Sequence, residues 1–141
     1  MDQSHNCGLS CLEQYNGFAP LVLRIILGIV FLTAAYNKIF VYGAQGFAAG
    51  LSAFMPLPLF FAWLVIIVEA VGGLFLLLGL WVRWVSVPLI VTMIVAVGTH
   101  IAGEGFASSF AALLALGCAL ALFILGAGKW SLERAAFGKE C

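Results

Sequence analysis

Four long stretches of the chain are apolar on every side, and polar residues fall almost entirely between them. They run over about 20–40, 58–80, 82–101 and 108–125. An uninterrupted apolar run of roughly 20 residues leaves a helix with no face for water and matches the thickness of a bilayer core. The pattern therefore predicts an all-α integral membrane four-helix bundle. Pro20 and Pro58 suit first helical positions, where a missing N–H would have no partner anyway. Between the first two spans, VYGAQGFAAGLSAFMPLP is too short and too rich in glycine to cross. Its residues Phe47, Leu51, Phe54 and Met55 repeat at helical spacing, which predicts a short helix lying in the interface or dipping back into the bundle.

One residue breaks the second span: Glu69, which lies near the midplane, about 17 Å from Pro58 at 1.5 Å per residue. A charge there costs at least a few kcal/mol unless it is paired, protonated or wetted, so Glu69 is expected to face other helices. Gly72 and Gly73 follow within about a turn and would let a neighbouring helix approach beside it. In the first span, Arg24, Gly28, Phe31, Ala35 and Lys38 recur at alternating spacings of four and three, which places them on one stripe. Comparing depths along the helices makes Arg24 the expected partner of Glu69. Lys38 is then left nearer the opposite boundary, where it either snorkels to water or joins His100 and Glu104 in a second polar group. Tyr36 and Asn37 add polar atoms close to Lys38, and Thr92, Thr99 and His100 share the polar stripe of the third span. In the fourth, Ala111, Ala115 and Ala119 repeat every fourth position, a close-packing pattern, with Cys118 as a small packing residue.

Composition agrees with this class: 65% of residues are hydrophobic, 9% are charged, and the net charge is zero. Scattered basic residues argue against a nucleic-acid partner. Three segments are expected: a tail over 1–19, a four-span domain over 20–126 and a second tail over 127–141. Arg24, Arg83, Lys129, Arg134 and Lys139 fall on one side and Lys38 near the other, so both termini are expected in the cytoplasm. Arg83 sits between Trp81 and Trp84, and Trp130 follows the fourth span, as boundary anchors do. His5, Cys7 and Cys11 lack a fourth ligand, and the four cysteines are read as reduced rather than as a disulfide framework; no metal is expected.

In order and spacing, several segments resemble the DoxX family of small four-helix membrane proteins. They are LVLRIILGIVFLTAAYNKIF, the Pro-Leu-Pro that leads into the second span, WLVIIVEAVGGLFLLLGL followed by Arg83, the His100 end of the third span, and GAGKWSLE, covering 21–133. Arg24, Lys38 and Glu69 match the arginine, lysine and glutamate of the family pattern. The resemblance implies a protein of a bacterial or archaeal cytoplasmic membrane and a link to redox chemistry: related DoxD subunits belong to a thiosulfate:quinone oxidoreductase, and some DoxX proteins are linked to thiol-stress complexes.

Two functions are weighed. In the first, the chain is a subunit of a membrane redox system that binds a quinone. Glu69 shuttles protons, Arg24 holds its charge state, and Lys38, His100, Tyr36, Asn37, Thr92 and Thr99 are the candidate groups around the quinone. The sequence has no haem-spaced histidines, iron–sulfur cysteine set or nucleotide fingerprint, so a protein partner is expected to deliver the electrons. In the second, the chain is a non-catalytic anchor or assembly factor, working with a partner protein or as a homo-oligomer, and the buried ion pair fixes helix register. Transport of a small solute or protons ranks below both.

Overall fold

The computed structural model describes residues 18–126 and 128. Within them the chain is helical. α1 spans Ala19–Tyr36 and continues into a π-helical turn, Asn37–Val41; α2 is short, Gly43–Leu51; α3 spans Pro58–Leu78; α4 spans Val82–Gly103; a 3-10 turn, Phe106–Ser109, leads into α5, Phe110–Leu125. Four segments are long and apolar enough to cross a membrane: Ala19–Val41, Pro58–Leu78, Val82–Gly103 and Phe106–Leu125. Only 22–33% of each lies buried inside the bundle. Side chains such as Ile26, Ile67, Leu114 and Ile124 point outward. An exterior this apolar is stable against acyl chains and not against water, so the environment of the bundle is a lipid bilayer.

Each helix end has a local cause. Pro58 opens α3 behind Leu57, which adopts the left-handed conformation (φ 57°), and Gly79 closes α3 with φ 67°. The Gly79 and Leu80 amides return to the carbonyls of Leu76 and Phe75, satisfying acceptors that the helix end would otherwise leave open. α4 runs unbroken through Pro88. Its hydroxyls are satisfied within the helix: Ser86 donates to the Val82 carbonyl (2.7 Å), Thr92 to that of Leu89 (2.9 Å) and Thr99 to that of Ala96 (3.0 Å). In a bilayer, where no water replaces a lost partner, this is the economical arrangement for an isolated hydroxyl.

The helices form a ring in which α1 packs chiefly on α3 and α4 on α5, while α3 against α4 and α1 against α5 close it. Leu27, Phe31, Leu76, Val82, Leu89, Met93, Ala115, Ala119 and Leu122 make the core. The adjacent glycines of α3 serve different neighbours. A Cβ on Gly73 would stand 3.0 Å from the Gly28 carbonyl oxygen and 3.2 Å from the Leu32 nitrogen of α1, whereas one on Gly72 would stand 2.9 Å from the Leu89 side chain of α4. Backbone therefore meets backbone where α1 crosses α3, a contact only small residues permit. In α5, Ala115 and Ala119 are buried whereas Ala111 faces outward, so the small-residue repeat is used over two of its three positions. α2 packs on the first turns of α3 through Ala48, Leu51 and Ala62, a satellite cluster separate from the main core.

Candidate functional site

The stripe Arg24, Gly28, Phe31 and Ala35 is the buried face of α1. It faces α3, whose buried residues are Ala62, Ile66, Glu69, Gly72, Gly73 and Leu76. Glu69 is 1% exposed, so its carboxylate lies inside the bundle and away from lipid.

Its partner is Lys38 rather than Arg24. The Lys38 ammonium donates to Glu69 Oε2 at 2.5 Å. The expected Arg24–Glu69 pair is replaced for a reason visible in helix geometry. In every α-helix the Cα–Cβ bonds tilt toward the N-terminus. α1 and α3 are antiparallel and in register at Gly28 and Gly73, so Lys38 leans toward the bundle middle from one end while Glu69 leans toward that same end. Arg24 leans the other way. Its guanidinium lies against Gly79, where any Cβ would collide with Nη1 and stand 2.8 Å from Cζ. Gly79 is ten residues from Glu69, roughly 15 Å along α3. There the buried cation, 2% exposed, faces the carbonyl end of the α3 dipole, which favours positive charge.

Lys38 is both paired and reachable. Its side chain is 18% exposed, compared with 1% for Glu69. The Phe47 ring of α2 covers it, with Nζ 5.2 Å from the ring centroid, within cation–π range. An ammonium carries three donors, so one bond to Glu69 leaves capacity at the edge of the bundle. The site thus consists of a buried carboxylate, a cation at its mouth and an aromatic cover. Phe47 was legible in the sequence as one apolar residue of a short helix; no spacing rule connects it with Lys38, which lies nine positions earlier and across a π-helical turn.

The other candidate residues are not gathered here. His100 Nδ1 lies 3.5 Å from Glu104 Oε2, one turn along at the exposed end of α4, so the expected group of Lys38, His100 and Glu104 divides into two. Tyr36 faces outward, its ring 4.8 Å from that of Phe40. Asn37 is half-buried in the π-helical turn, where its carbonyl accepts the Tyr42 amide. Thr92 and Thr99 spend their hydroxyls on their own helix. An open apolar groove lined by Leu23, Phe110, Leu114, Gly117 and Cys118 runs between α1 and α5 and includes neither member of the ion pair. Among the described residues no three His, Cys, Asp or Glu side chains come together. His5, Cys7, Cys11, Lys129, Trp130, Arg134 and Lys139 lie outside the described residues.

Comparison with known proteins places this chain in a family. The chain is 35% identical over 132 residues to an uncharacterized membrane protein of Mycobacterium tuberculosis, an alignment covering 81% of this chain and 78% of that relative. No solved structure matches it. The DoxX family model matches residues 19–102, which contain α1 to α3, most of α4, and both Lys38 and Glu69. A multi-pass membrane protein, this chain belongs to the DoxX family.

Proposed function

We propose that the protein is a subunit of a membrane redox system that takes an apolar ligand of the quinone class at the Lys38–Glu69 pair, receiving electrons from an electron-carrying partner protein. One observation carries the reading: Lys38 is bonded to a buried carboxylate yet remains partly exposed beside an aromatic ring. Quinone sites need an apolar slot, a donor for a carbonyl oxygen and a route for protons. Phe47 offers an apolar wall and Lys38 Nζ the donor. Glu69, behind it, accepts and passes a proton. A bound quinone would take up two electrons from the partner and two protons, the second drawn from water at the boundary.

Positive residues grouped at the Arg24 and Arg83 end support a cytoplasmic location for both termini and place Lys38 toward the far side of a bacterial or archaeal cytoplasmic membrane. α2 then lies at that outer boundary, and 20–126 act as one unit.

A second reading, a non-catalytic anchor whose ion pair sets helix register, draws support from the self-satisfied hydroxyls of α4 and from a groove that lies away from the pair. One experiment separates them. Glu69→Gln in the native membrane should lower quinone-dependent electron transfer at unchanged protein abundance, and wild-type protein in mild detergent should retain quinone by extraction and chromatography. Lowered abundance with unaltered activity per molecule would select the anchor.

A further inference from the structure

We propose that α2 is a hinged lid over the Lys38–Glu69 pair, built to be weak so that it opens. The Phe47 ring of α2 stands over the lysine of the pair, its centroid 5.2 Å from Lys38 Nζ. α2 is held by a cluster of its own: Ala48 and Leu51 meet Ala62, with Phe47 and Phe61 packed against them, apart from the main core. Both flanks can turn. On one side stand the π-helical turn Asn37–Val41 and Gly43, whose φ of +72° suits glycine; on the other, Leu57 holds a left-handed conformation just before α3.

The glycines of α2 weigh heavily because the helix is short, nine residues. A Cβ on Gly46 or Gly50 would meet nothing within 4 Å, so packing does not call for glycine at either position. Contact demands glycine at Gly28, Gly72 and Gly73; α4 and α5 also carry one open glycine each, Gly98 and Gly117, but within helices of 22 and 16 residues. In a helix interior, glycine in place of alanine lowers helix stability about four- to five-fold per site. With Gly46 inside it and Gly50 next to its last residue, the nine-residue α2 melts easily while α1 and α3 stay packed. When it lifts, Lys38 loses its cover and Glu69 comes within reach from the edge of the bundle. The inference concerns access to the pair and holds for whatever ligand arrives.

The test uses the full chain in phosphatidylcholine nanodiscs and a hydrophobic carbodiimide, to whose central carbon a buried carboxyl group adds. The loss of unmodified Glu69, whether to an acylurea or, with release of the urea, to an amide with Lys38, is followed over time by peptide mass spectrometry. Gly46→Ala should slow the reaction about four- to five-fold, Gly50→Ala, next to the helix end, by less, and the double variant by more than either. Phe47→Ala should speed it. Gly98→Ala, in α4 and also facing open space, should leave the wild-type rate unchanged. A double variant labelled at the wild-type rate would overturn the lid. So would Gly98→Ala slowing the reaction as much as the α2 changes, or Phe47→Ala failing to speed it.

Discussion

The two ends of α1 each hold one buried or half-buried cation on the same stripe, and they use it differently. At one end Lys38 reaches a side-chain carboxylate in the middle of α3; at the other Arg24 lies against the glycine that terminates the same helix. The lysine end is paired, partly exposed and capped by an aromatic ring on a weak helix. The arginine end is 2% exposed and meets backbone. At the lysine end the cation meets a carboxylate inside the bundle, and at the arginine end the guanidinium sits against the terminus of α3. Both side chains lean toward the N-terminus of α1, which carries Lys38 toward Glu69 and Arg24 away from it.

Removing the lysine should have the largest effect. Lys38→Met leaves the Glu69 carboxylate buried without its partner, which destabilises by about 3–5 kcal/mol; detergent-phase thermal unfolding should fall accordingly. The double variant Lys38→Met/Glu69→Leu removes both charges and should recover most of the loss. A double variant no more stable than Lys38→Met would mean that the pair is not a closed electrostatic unit.

At the arginine end, Gly79→Ala forces a Cβ into the guanidinium and asks a non-glycine residue to hold φ 67°. The expected loss is about 1–3 kcal/mol, from strain and displacement together. Wild-type stability in this variant would show that Arg24 moves aside freely, and so that this end is adaptable rather than fixed. The smallest change is expected at His100, whose contact with Glu104 is exposed and local: His100→Ala should shift stability by no more than about 0.5 kcal/mol. A larger loss, measured by the same unfolding assay, would bring the far end of α4 back into the functional site.

Much of this molecule is a direct consequence of its residue order. Four apolar runs of bilayer length dictate four crossings, because no other structure satisfies the backbone of such segments in lipid. Pro58, with no N–H to lose, marks the start of α3, whereas the span read over 58–80 overruns its last residue, Leu78, by two, because Gly79 takes a positive φ and closes the helix. The stripe through Arg24, Gly28, Phe31 and Ala35 could be read as a buried face from spacing alone, and Glu69 as facing inward from the cost of exposing it to lipid.

Partner choice could not be read in the same way. Depth along the membrane ranks Arg24 and Lys38 by the positions of their Cα atoms, but a long side chain acts several ångströms from its Cα and in the direction its helix imposes. That direction matters only once two antiparallel helices are set in register, and the Gly28–Gly73 contact that sets it joins positions far apart in the chain. The same holds for Phe47 above Lys38: a π-helical turn and a change of chain direction separate them, and no periodicity spans such a break. Spacing specified which faces are buried, because burial follows from a helix's own geometry. Which charges meet was decided by packing between helices.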